Sequence, residues 1–171
     1  MQDTTPLRWR PAPGIRFKVL GLHWRGAAVL AAEVPDDDGR IKGMRPLGGS
    51  VNFGETAQAA VIREFREELG IDIRTVGAAD YVENLFVHHG APGHEVIAVF
   101  EVVFPEGAYE SVDRIAFHED SGTLCHASWV DPDTLDLPGR PALYPDGLRG
   151  IIDRRRQAGG PLKGRPPVTG S

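Results

Sequence analysis

Residues 49–71 read GSVNFGETAQAAVIREFREELGI, and the reading of this stretch decides the rest. Thr56 is a good N-cap, small helix formers follow it, and Gly70 is a natural left-handed stop, so the spacing predicts a helix between them. Val61, Phe65 and Leu69 recur at i, i+4 and i+8 and form the stripe that would anchor this helix to a core. Beside the stripe, Glu64, Glu67 and Glu68 fall within an arc of about 100°. Ala57 and Ala60 share that face and leave it uncrowded. Like charges at such spacings repel by about 0.2–0.5 kcal/mol per pair. A cation between them reverses the sign, and hard oxygen ligands suit Mg²⁺, with Mn²⁺ as a substitute. The same run also fits the solvated face of an ordinary amphipathic helix, and these residues alone leave both readings open.

Composition narrows the classes. The chain has 171 residues, enough for one domain with a real core, and its 41% apolar and 25% charged content is that of a soluble globular protein. A net charge of −5 without a long basic run argues against dedicated nucleic-acid binding. It leaves polyphosphate substrates open, because a divalent metal supplies local positive charge. The single Cys125 cannot form an internal disulfide, no apolar run reaches membrane-spanning length and no signal-peptide core is present, so a cytoplasmic location is expected.

Outward from the helix, the expected organisation is an N-terminal arm over residues 1–14, a domain over 15–158 and a disordered Gly/Pro-rich tail over 159–171. Trp9, on the proline-containing arm, is a candidate for packing against a partner subunit. Residues 15–24 alternate as a strand, and 27–34 are an apolar strand ending at Pro35. The acidic run Asp36, Asp37, Asp38 with Gly39 marks a solvated hairpin turn. Residues 44–47 are extended and lead into Gly48 and Gly49, where backbone can approach a ligand closely and a main-chain carbonyl can complete a metal's coordination. Strands are expected at 72–76, 81–87, 95–104 and 124–130, a loop at 88–93, a helical turn after Asp131 and a second helix over 145–157. Arg154, Arg155 and Arg156 suit the C-terminal end of that helix. Mostly antiparallel strands with two separated helices make an α+β fold.

Gly49 and Glu55 are separated by five residues, Glu55 and Arg63 by seven, and Arg63-Glu64-Phe65-Arg66-Glu67-Glu68-Leu69-Gly70-Ile71 follows. This pattern resembles the Nudix box at every defining position. The resemblance implies a mixed β-sheet sandwiched between helices (α/β/α), with the box as a loop–helix–loop across the sheet. It implies Mg²⁺-dependent hydrolysis of a nucleoside diphosphate linked to another moiety, with Glu64, Glu67 and Glu68, and a carbonyl at Gly49, as metal-binding groups. Arg63 would orient a carboxylate, with Glu55 the candidate. The general base varies in such enzymes. Glu64 is one candidate, and Glu95, expected where a loop meets a strand beside His94, is another. His88, His89 and His94 lie close together, but no cysteine is near and no zinc-ligand spacing recurs, so exposed loop histidines are expected.

Substrate choice resides outside the box. The proline of ADP-ribose hydrolases would fall near Phe86 and Val87, and the tyrosine of dinucleoside-polyphosphate hydrolases near His89; neither is present, nor are the NADH or coenzyme A signatures. Tyr81, Phe86 and Trp129 could stack on a base, with core packing the default for each. A non-catalytic nucleotide-sensing module shares the fold, yet here every box acid is kept. An isopentenyl-diphosphate isomerase would need a reactive cysteine, and Cys125 falls in the strand expected at 124–130, where core packing is expected. RNA decapping would want a broader basic groove than Arg154 to Arg156 offer. The expected partner is a small nucleotide, with a homodimer suggested by Trp9 and the family's habit of pairing.

Overall fold

The computed structural model describes residues 10–158, so Trp9, most of the arm and the 159–171 tail lie outside the described residues. The strands in chain order are β1 (Ile15–Leu22), β2 (Trp24–Arg25), β3 (Ala28–Pro35), β4 (Ile41–Pro46), β5 (Arg74–His88), β6 (Ala91–Val103), β7 (Arg114–His118), β8 (Leu124–Val130) and β9 (Ala142–Leu143). Helix α1 (Ala57–Leu69) lies between β4 and β5, and α2 (Leu148–Gln157) ends the described chain. One sheet has the order β1-β6-β5, and the other runs β7-β8-β3-β4-β9 with β2 on β3. Among the described residues only the β1–β6 and β4–β9 pairs are parallel. Val19 and Gly21 donate to the carbonyls of Gly49 and Leu47, and Val51 donates to that of Phe17. These bonds stitch the two sheets edge to edge at the start of the box.

Strand alternation sends successive side chains of β1 to opposite layers. Val19 joins Val61, Phe65 and Leu69 of α1 together with Ala98, Phe100 and Val102 of β6. Leu20 and Leu22 join Ile97, Val99 and the α2 residues Leu148, Ile151 and Ile152. Each helix thus covers one face, and the expected α+β sandwich is the observed architecture. Gly21 lets α1 approach, because a Cβ there would meet the Phe65 ring. Arg155 locks α2 down, donating to Asp80 at 2.7 Å and to the Val99 carbonyl at 2.8 Å, while Arg156 pairs with Asp133 at 2.8 Å. Two of the three C-terminal arginines therefore serve internal contacts rather than a basic groove.

Several boundaries differ from the sequence reading. The expected strands at 72–76 and 81–87 are one strand, β5, whose pairing with β6 is interrupted between Val76 and Asp80. The expected 88–93 loop is a tight turn, with His89 and Gly90 both at positive φ (47° and 80°), so β6 already begins at Ala91. Strand β7 was not anticipated, although Ile115 and Phe117 point inward while Arg114, Ala116 and His118 are exposed. Its apolar signal spans only two residues. Among the described residues no helix is long and apolar enough to cross a membrane.

Phe65 is 1% exposed and meets Phe104 edge-on at 5.6 Å. Phe65→Ala is expected to lower unfolding free energy by about 3–5 kcal/mol, measured by chemical denaturation.

Candidate active site

The α1 N-cap is Thr56, whose side chain accepts from the Ala59 N–H at 3.1 Å, and the helix stops at Gly70 with φ 68°. Between these ends the helix presents its acids toward residues 48–50. Gly48 adopts φ +146°, and a Cβ there would collide with the Val19 carbonyl. Gly49 leaves the space that the Glu64 carboxylate fills. Glu64 is accordingly buried, at 3% exposure.

Arg63 organises the acids around it. Its Nε and Nη2 donate to the two oxygens of Glu55 at 2.8 and 3.0 Å, and Nη2 also donates to the Ser50 carbonyl at 2.9 Å. Its Nη1 donates to Glu64 at 3.0 Å and to Glu67 at 2.8 Å. Glu55 in turn accepts from the Asn52 N–H at 3.0 Å. The hydrogen bond from Arg63, then that from Asn52, holds the Glu55 carboxyl below its usual range. The Glu55 hydrogen bond is also the leading reason the Arg63 guanidinium is pushed further toward its charged form.

Glu64 is raised, chiefly by burial against the opposing pull of Arg63. Glu68 is pushed up to about 8 by burial and then by the Glu64 charge, and among the described residues its buried Oε2 finds no hydrogen-bond partner. An orphaned oxygen beside a second carboxylate is a poor arrangement for the protein alone and a good one for a cation. Oxygens of Glu64, Glu67 and Asp120 lie within 4.8 Å of one another. Asp120 was missed by the sequence reading: it sits on the β7–β8 turn, held by Gly122 N–H to Glu119 carbonyl at 2.7 Å and Glu119 N–H to Thr123 carbonyl at 3.0 Å. The only hint was a pair of acids ahead of Ser121 and Gly122.

A cleft of about 180 Å³ opens here, lined by Lys18, Arg45, Gly49, Glu64, Glu68 and Asp120 among others. The Gly49 carbonyl already accepts from Val19 and keeps one lone pair toward other partners.

Glu95 is not at a loop junction. Because the β5–β6 turn is tight, Glu95 lies within β6, buried, accepting from Arg16 at 2.7 Å and Asn84 at 3.2 Å. The Lys18 ammonium is 4.0 Å away. His94 pairs with Glu83 at 2.8 Å, away from the acids. Asp37, His88 and His89 do converge, yet Asp37 bonds Arg10 at 2.9 Å and His88 bonds Lys42 at 2.7 Å, so cations already occupy that corner. None of the three candidate stacking aromatics lines the acidic cleft. Tyr81 is exposed and stacks with Phe17, Phe86 covers Gly93, and Trp129 lies under Arg25 at 4.3 Å in a separate cleft. Cys125 packs against the core, and burial pushes its thiol up to about 11, which disarms it as a nucleophile.

The chain matches the NUDIX domain over residues 19–149. No curated protein matches it. Among solved structures, the E. coli ORF135 protein is similar at 21% identity and TM-score 0.54, covering 84% of this chain and 92% of that one. A MutT NUDIX hydrolase from Burkholderia pseudomallei is similar at 22% identity and TM-score 0.54, over 82% and 97%. A NUDIX hydrolase from Nitrosomonas europaea aligns at 18% identity and TM-score 0.54, over 85% and 90%. These likenesses bear on the fold, which they share. With the domain match spanning most of the chain, the protein belongs to the Nudix hydrolase family.

Proposed function

We propose that this chain is a Mg²⁺-dependent pyrophosphohydrolase that cleaves a diphosphate bond in a nucleoside diphosphate linked to another moiety. The observation that carries the reading is the convergence of Glu64, Glu67 and Asp120 oxygens within 4.8 Å, next to the unpartnered Glu68 Oε2. Glu64, Glu67 and Glu68 would hold the cation, with the Gly49 carbonyl as an added oxygen and Asp120 beside them. A divalent cation there supplies charge neutralisation for the phosphate oxygens and acidifies the attacking water.

The protein's own groups do the positioning. Arg63 fixes Glu64 and Glu67 by hydrogen bonds, and Glu55 holds Arg63 from the other side. Between the two bases expected from sequence, Glu95 has its oxygens engaged by Arg16 and Asn84, which suits a supporting role. Glu64 is tied to Arg63. Asp120 is exposed and beside both acids, and we assign it the proton-accepting role.

The reading is tested by phosphate or pyrophosphate release from a panel of nucleoside triphosphates, sugar nucleotides and dinucleotides, with and without Mg²⁺. No metal-dependent release from any of them overturns it. Titration of Mn²⁺ is expected to weaken strongly in Glu67→Gln and to stay normal in Asp37→Asn; the reverse pattern moves the metal to the β3–β4 turn. Asp120→Asn is expected to lower kcat by about 10²–10⁴-fold, the usual worth of a general base. Glu95→Gln should change it far less, and a collapse of kcat in Glu95→Gln alone transfers the role to Glu95.

Glu68 also gives a pH dependence. A carboxyl whose folded pKa lies near 8 instead of near 4.5 binds more protons folded than unfolded between those values. Its contribution to stability is therefore complete below about 4.5 and lost as pH rises through about 8. In chelator, Glu68→Gln is expected to melt above the wild type at pH 8, with the gap closing toward pH 5. Parallel melting curves for the two proteins across that range would contradict the assignment.

A further inference from the structure

The cleft also carries charges of opposite sign. Lys18 on β1 and Arg45 on β4 line it together with Glu64, Glu68, Glu119 and Asp120. Both cations are poorly paired among the described residues. The Lys18 side chain is 13% exposed and its Nζ stands 4.0 Å from Glu95 Oε1, beyond hydrogen-bond distance. That Glu95 carboxylate is already claimed by Arg16 at 2.7 Å and by Asn84. Arg45 Nε is buried without a partner, and its nearest carboxylate oxygen, on Glu119, is 3.7 Å from Nη2. Two half-buried cations that repel each other, each short of hydrogen-bond acceptors, are costly to keep unless an anion joins them. Burial, reinforced by Arg45, lowers the Lys18 ammonium to about 8, the sign of that cost.

We propose that Lys18 and Arg45 form a phosphate-receiving subsite, which holds an anionic phosphate group of the substrate beside the carboxylates that line the same cleft. The proposal rests on the hydrolase reading above and names the part of the cleft that takes the diphosphate. Arg45 offers a planar donor fork and Lys18 a compact charge, the two usual ways of holding phosphate oxygens. The missing hydrogen bonds of the free protein are those a phosphate would supply. Arg16 and Asn84 keep Glu95 from capturing Lys18, so the ammonium stays turned to the cleft. At 4.0 Å the Glu95 charge draws the ammonium without bonding it, so Glu95 is a positioning residue for Lys18 and is not placed on substrate.

The test uses the full chain, inorganic pyrophosphate as the probe in Mg²⁺, and calorimetry as the readout. Lys18→Met and Arg45→Met are each expected to weaken pyrophosphate binding by roughly ten- to a hundredfold, the worth of a hydrogen bond to a charged group. On the best nucleotide substrate KM should rise in step, while Mn²⁺ affinity is kept or tightened because a positive charge has left. Lys18→Arg should restore much of the pyrophosphate affinity. Melting curves separate this from a folding defect: a merely structural pair would lower melting temperature and leave pyrophosphate affinity of the folded protein intact. Unchanged pyrophosphate affinity and KM in both Met variants overturns the proposal. A wild type that hydrolyses no nucleotide yet binds pyrophosphate through these two residues would sink the hydrolase reading and leave the subsite standing.

Discussion

A guanidinium group has five N–H donors, and Arg63 uses all five. They go to both oxygens of Glu55, to Glu64, to Glu67 and to the Ser50 carbonyl. The rest of the site depends on this one side chain. It ties the loop before α1 to the helix, and it places a single positive charge among carboxylates that would otherwise push the helix face apart. Lysine could not do this, since its three donors lack the fixed planar fork that two oxygens of one carboxylate require. Glu68 lies outside this net, and among the described residues no cation bonds it. Burial, then the Glu64 charge, favours its neutral form, and a divalent ion is what would change that.

Backbone geometry supports the charge arrangement. The stitching of β1 to residues 47–51 sets Gly48 and Gly49 directly against the strand, where side chains would collide with the Val19 carbonyl or with Glu64. Phe65 and Leu69 sit on the opposite side of α1 from the exposed Glu67, so the burial that fixes the helix also fixes the direction in which its acids point. Packing energy thus holds together a set of charges that would not assemble by themselves. The cost is concentrated in one cleft, lined by both carboxylates and incompletely paired cations, charges a metal and a phosphate together would neutralise.

The sequence by itself determined what depends on near neighbours along the chain. The caps at Thr56 and Gly70, the Val61-Phe65-Leu69 stripe and the clustering of three glutamates follow from helical period, because i, i+3 and i+4 contacts need no knowledge of the rest of the fold. The α+β class was legible for the same reason, from strand alternation and two separated helical stretches. What the sequence could not say is which distant residues face that helix. Asp120 reaches Glu64 and Glu67 only because β7 and β8 pair, and a five-residue β7 with two inward side chains carries too little periodicity to be read. Lys18 looked like the polar half of an alternating strand, and Glu95 like a loop-edge charge, until the tight turn at His89 and Gly90 drew it inside β6. Local backbone preference is written residue by residue. The meeting of Lys18, Arg45 and Asp120 with the helix depends on sheet order and register, which no local stretch of the chain contains.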